Sequence, residues 1–108
     1  MKLIISIIHD EDVNKAITEL NSSGFSVTKL ATTGGFLRAG NVTLIVGVDE
    51  DKVDNVIKIF ENTCSTRKKI MISPISVGMA EIMSNRPIEV DAGGATIFVL
   101  DVDRFEKI

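Results

Sequence analysis

Apolar positions along the chain follow two periods in alternation. Leu3 to Ile8 is a continuous apolar run, ended by acids from Asp10 onward, and reads as a strand in the middle of a sheet. Val13, Ala16, Ile17 and Leu20 then recur at helical spacing, with Asp10 or Asp12 placed to cap the helix and Gly24 to stop it. A second strand is predicted at about Phe25 to Thr32 and a third over Val42 to Val48. Asp49 or Asp51 opens a second helix, with Val53, Val56, Ile57 and Phe60 on one face and Ile59 on its flank. A fourth strand is predicted over Lys69 to Ser73, ending at Pro74, and two more over Ile88 to Asp91 and Ala95 to Val102, around Gly93-Gly94. Between Pro74 and Pro87 no period survives, and the pattern predicts a flexible loop there, with room for one helical turn at Met79 to Met83.

The order β-α-β-β-α-β predicts an α+β fold: a ferredoxin-like antiparallel sheet with two helices on one face. An extended loop is expected between the fourth strand and the C-terminal strands. Leu3 to Ile8 and Ile97 to Val102 are mostly apolar at successive positions, so both sheet faces are mostly apolar. Two helices cover only one of them, and self-association is the expected cover for the other.

Composition narrows the class. A chain of 108 residues, 44% hydrophobic and 25% charged, fits one soluble domain over 1–108 with a core built without disulfides. Five Phe with no Trp or Tyr make that core mainly aliphatic. The net charge of −3 argues against nucleic-acid binding by broad phosphate neutralisation. Arg67, Lys68 and Lys69 form the one basic cluster and read as a solvated element end. The single cysteine, Cys64, ends an apolar helical stretch and reads as a packed small residue in a reducing compartment. The N-terminal apolar run is too short for a signal peptide or a membrane span, which implies a cytoplasmic protein.

Candidate chemistry gathers in Thr28 to Asn41. Glycines at 34, 35 and 40 permit positive φ and close approach to backbone N–H groups. Phe36 offers a stacking face, Arg38 a cation and Asn41 an amide that matches an adenine edge. These are the parts of a nucleotide pocket; an ordinary hairpin loop with an outward Phe and Arg is the plain alternative. His9, the sole histidine, with Asp10, Glu11 and Asp12 raises the possibility of a small enzyme, but no second His or Cys stands at ligand spacing. A structural histidine at a strand end is the simpler reading. The acids Asp49 to Asp51 read as a helix start favoured by the dipole.

Lys-Leu-Ala-Thr-Thr-Gly-Gly-Phe-Leu-Arg-Ala-Gly-Asn at 29–41, Val-Gly-Val at 46–48 and Val-Asp-Ala-Gly-Gly-Ala-Thr-Ile-Phe-Val at 90–99 closely resemble the PII-like cyclic-di-AMP receptor proteins of Gram-positive bacteria. The resemblance runs nearly end to end, through Met-Lys-Leu-Ile-Ile at the start and Ser-Pro-Ile-Ser at 73–76. It implies a cytoplasmic, non-enzymatic homotrimer of ferredoxin-like subunits that binds cyclic di-AMP between subunits and signals to an unidentified protein partner. No cofactor, metal, nucleic acid or membrane insertion is implied.

By the same resemblance, Thr28 and Asn41 match positions that hydrogen-bond adenine, and Gly47 a nearby backbone contact. Gly35, Phe36 and Leu37 match the loop over the ligand, and Phe98 an aromatic near the subunit boundary. Ser26 stands where relatives commonly have a phosphate-binding arginine, with Lys29 close by in sequence; Lys107 stands in place of a ligand-touching glutamine. The 74–87 segment is shorter than in many relatives and lacks their Gly-Gly and Tyr pattern. An alternative within the same fold is a trimeric interaction module for another adenine nucleotide, or for no small ligand.

Overall fold

The computed structural model describes residues 1–30, 40–71 and 88–108, and of 68–71 and 88–90 the backbone alone. Strand β1 (Lys2–His9) leads through a 3-10 turn at Asp10–Asp12 into helix α1 (Val13–Ser22). Strands β2 (Val27–Leu30) and β3 (Asn41–Val48) follow, then a 3-10 turn at Glu50–Lys52 and helix α2 (Val53–Cys64). The chain ends with β4 (Arg67–Met71), β5 (Ile88–Ala92) and β6 (Ala95–Asp101). The segments 31–39 and 72–87, and with them Gly34 to Arg38 and the expected 74–87 loop, lie outside the described residues.

The main sheet has the order β2-β3-β1-β6, and each neighbouring pair is antiparallel. β1 is therefore parallel to β2, and β3 to β6, with a helix in each connection; this is the split βαβ topology that the element order predicts. One assignment changes. The strand after α2 does not join this sheet: β4 pairs with β5 in a separate two-stranded hairpin, and β6 takes the place beside β1. Side-chain character explains the choice. β4 opens with three consecutive cations, so either face carries charge, whereas β6 reads Ala-Thr-Ile-Phe-Val-Leu-Asp and suits a helix-covered sheet.

The core lies between the sheet and the two helices. Ile4 and Ile8 of β1 and Leu44, Val46 and Val48 of β3 meet Val13, Ala16 and Leu20 of α1 and Val56, Phe60 and Cys64 of α2. Between Ile4 and Ile8, the Ser6 hydroxyl is buried with no hydrogen-bond partner among the described residues. α1 ends in a Schellman motif: Phe25 N donates to Leu20 O at 2.9 Å and Gly24 N to Asn21 O at 3.0 Å, with Gly24 at φ +87°. Phe25 and Leu20 both join the core, so this stop also aims β2.

The acids expected to cap the first helix do not do so, while Asp49 stands, as expected, where the chain turns into the second. Asp12 stands at the N-cap of α1 without a side-chain capping bond, and the N-cap of α2 is Lys52. A 3-10 turn at each entry starts the winding, and the Asp12 carboxylate is turned to another partner: Arg67, 55 residues away. Arg67 Nη2 donates to Asp12 Oδ1 at 2.9 Å and Nη1 to Oδ2 at 3.4 Å, and Nη2 also reaches Glu11 Oε1 at 3.3 Å. Arg67 is thus no solvated cluster end. Its guanidinium fixes the base of the β4–β5 hairpin to the start of α1, over a nearly buried Asp12.

The other side of that base is Gly93-Gly94, both at positive φ. Gly94 N donates to Cys64 O, tying the hairpin exit to the end of α2. A Cβ on Gly93 would strike the Arg67 guanidinium and stand 2.8 Å from Ser65 O, besides straining a backbone at φ +79°. Gly93→Ala is expected to destabilise the protein by about 1–3 kcal/mol, read as a lower urea midpoint with little change in slope.

Cys64 is fully buried, and its burial pushes the thiol up from its usual range against the weaker opposing effect of its hydrogen bond with Thr63. The unfolded chain therefore loses this proton first. Stability falls as pH rises above about 8.5, the ordinary thiol value, until the native value is passed. Thermal unfolding followed from pH 7 to 10 should show that loss in the wild type and a smaller one in Cys64→Ala.

Candidate functional site

Alternation along β3 sorts the candidate residues by face. Leu44, Val46 and Val48 point to the helices, so Asn41, Thr43, Ile45 and Gly47 belong to the opposite face. Thr28 pairs with Ile45 and Leu30 with Thr43, which puts both on that face; Ser26 lies just before β2. Lys29 pairs with Leu44 and belongs to the helix side, apart from the others. Phe98 pairs with Ile5, which pairs in turn with Ile45, so Thr28, Ile45, Ile5 and Phe98 form one rung across the sheet. Gly35, Phe36 and Leu37 lie outside the described residues.

This face carries a large apolar patch, and no described helix covers it. Phe98 is 52% exposed and Leu100 45%, with Ile7 and Leu30 also exposed and Leu3 and Ile5 half-buried between them. Three interstrand spacings, about 14 Å, separate Thr28 from Phe98, which stand at opposite edges of the sheet. One subunit therefore cannot close both around the same base.

Two depressions border the face. One, of about 360 Å³, contains Asn41 and His9 together with Thr66, Gly93 and Gly94 at the hairpin base. Asn41 begins β3 opposite His9, after Gly40 at φ +97°; Asp10 N donates to Gly40 O at 2.7 Å and closes this end. The Asn41 amide has no side-chain partner among the described residues. The other depression, a shallow groove of about 620 Å³, runs between Ser26 and Gly47 on the sheet side and α2 on the other. Gly47 is exposed, and a Cβ there would meet nothing within 4 Å, so its backbone is open to close approach.

His9, Thr66, Gly93 and Gly94 are the neighbours of Asn41 that sequence reading does not supply as site residues. Thr66 and the glycines arrive through the fold of the hairpin, whose position depends on Arg67. Among the described residues, no three His, Cys, Asp or Glu side chains are grouped to hold a metal ion, and no helix is long and apolar enough to cross a membrane.

An antiparallel β2-β3-β1-β6 sheet with two helices on one side, and nucleotide-type residues along its bare face, defines a PII-like α+β protein. The chain is 28% identical over 93 residues to the nitrogen fixation nifHD region GlnB-like protein 1 of Methanothermococcus thermolithotrophicus, covering 70% of this chain and 89% of that one. It superposes with a TM-score of 0.75 and 37% identity on the crystal structure of a functionally unknown protein from Pediococcus pentosaceus, over 99% of this chain and 96% of that one. The cyclic-di-AMP receptor family matches residues 1–108, and the chain belongs to that family.

The Arg67–Asp12 pair holds the hairpin beside Asn41 and is itself testable. Arg67→Met leaves a nearly buried carboxylate without its forked partner, and the thermal midpoint is expected to fall by several degrees. Adding Asp12→Leu removes the orphaned charge and should restore part of the loss, so a thermal double-mutant cycle shows strong coupling.

Proposed function

We propose that this protein is a cytoplasmic, non-enzymatic receptor that binds cyclic di-AMP in clefts between the subunits of a homotrimer and relays its level to a protein partner. Membership of the cyclic-di-AMP receptor family supports the ligand class. The observation that carries the intersubunit reading is the rung that puts Thr28 and Phe98 on one uncovered apolar face but at opposite edges. A second subunit brings its own Phe98 edge to the Thr28–Asn41–Gly47 edge of the first, covers the apolar face and completes the cleft.

In this reading the Asn41 amide pairs with an adenine edge, Thr28 donates or accepts beside it, and the open backbone at Gly47 lets the ligand lie close. Phe36 stacks on a base, with Gly35 and Leu37 beside it in the covering loop. Ser26 has no charge to offer a phosphate, and Lys29 approaches from the other face.

Isothermal calorimetry with cyclic di-AMP tests the proposal. Asn41→Ala should weaken binding roughly 5- to 150-fold, the cost of leaving an adenine edge unpaired. Cyclic di-GMP should bind far more weakly, because guanine presents a different edge to the amide. If the wild type binds ATP and not cyclic di-AMP, the protein is a PII-like module for another adenine nucleotide. Light scattering is expected to give three times the 11.7 kDa chain mass at micromolar concentration, and a stable monomer would overturn the intersubunit site.

A further inference from the structure

We infer that the groove between α2 and the β2–β3 edge receives the phosphates of the ligand, and that Lys52 and Lys58 supply there the charge that Ser26 does not. This rests on the cyclic di-AMP reading above and adds to it two binding residues, one at the N-cap of α2 and one on the helix.

Helical spacing separates two stripes on α2. Val56, Phe60 and Cys64 face the core, while positions 52, 55, 58 and 62 fall within an arc of about 120° on a different side. Most polar stripes on a surface helix simply face water. This one, with Ile59 beside it, forms one wall of the roughly 620 Å³ groove whose opposite wall contains Ser26 and Gly47. That size lies within the range of small-ligand sites.

Charge in the groove suits an anion. Lys2, Arg67 and Arg104 are engaged with carboxylates of the chain itself: Asp101, Asp12 with Glu11, and Glu106. Lys52 and Lys58 have no such partner among the described residues. One carboxylate, Asp49, stands on the rim, so two ammonium groups outweigh it. The Asn55 and Asn62 amides add neutral donors, and the bare backbone of Gly47 leaves room for a phosphodiester to approach. Ser26 lines the same groove as the two lysines, so an arginine at 26 would add its charge at that groove.

The test compares wild type, Lys52→Gln, Lys58→Gln and the double variant by calorimetry with cyclic di-AMP at several salt concentrations. Both lysines are exposed, so circular dichroism should show the fold unchanged. Either single change should weaken binding about 2- to 5-fold, and the double about 4- to 25-fold, with a shallower salt dependence. Ser26→Arg added to the double variant should restore the affinity. Equal affinity and salt slope in wild type and double variant would overturn this inference and leave the receptor reading standing. Should the wild type not bind cyclic di-AMP, the receptor reading fails, and inorganic pyrophosphate followed by amide chemical shifts decides the groove separately. Shifts at Ser26 and Gly47 that vanish in the double variant would support an anion groove; no shifts in the wild type would overturn it.

Discussion

Helices cover only one face of the four-stranded sheet, while the strands are apolar on both. An antiparallel sheet of this kind usually keeps its second face polar, and solvent then covers it at no cost. Here Ile4 and Ile8 point to the helices while Leu3, Ile5 and Ile7 on the same strand point away, and Phe98 and Leu100 extend the apolar surface to the edge. Leaving such a face in water favours association. Of the residues that read as ligand contacts, Thr28, Asn41, Gly47 and Phe98 stand on this face or at its border, so in the proposed reading the constraint that calls for a partner subunit also sets the ligand chemistry at the boundary. In the proposed trimer, assembly and binding are consequences of one surface.

The rest of the molecule positions the ends of that surface. The Schellman turn at Gly24 directs β2 to the sheet edge, where Thr28 is set by its register on β3. At the opposite end, Arg67 and the Gly93-Gly94 turn hold the hairpin against α1 and α2, which puts Thr66 and the glycines next to Asn41 and His9. Asn41 and the hairpin base thus line one depression. The Arg67 fork and the Gly94–Cys64 backbone bond both fix that base.

Much of this was legible in the sequence. Period alone located both helices and the strands of the main sheet, because each buries one well-defined set of side chains. It misplaced the fourth strand of the sheet, because Lys69 to Ser73 and Ala95 to Val102 both have strand-like composition and only pairing decides between them. The capping acids were misread for a related reason. Asp12 is a normal N-cap residue, and nothing local reveals that Arg67 claims its carboxylate from 55 residues away. Among the site residues, register separates Lys29 from Thr28 by a single position, which places them on opposite faces; the resemblance that named both does not distinguish the faces. The family motif carried Asn41, Gly47 and Phe98, but that Phe98 is three strands from Thr28 follows only from the sheet order.

The central claim is that one ligand site takes residues from two subunits, and subunit mixing tests it most directly. Asn41→Ala and Phe98→Ala proteins, each defective in cyclic di-AMP binding, are unfolded together, refolded as mixed trimers and titrated by calorimetry. A site shared across the boundary regenerates wherever a Phe98→Ala subunit presents its intact Asn41 to the intact Phe98 of an Asn41→Ala neighbour. Random mixing makes that about one site in four. Recovery of tight binding at about that stoichiometry is the predicted result. No recovery in mixed trimers of confirmed composition would contradict the account, because Asn41 and Phe98 would then have to act within a single subunit or on no common ligand.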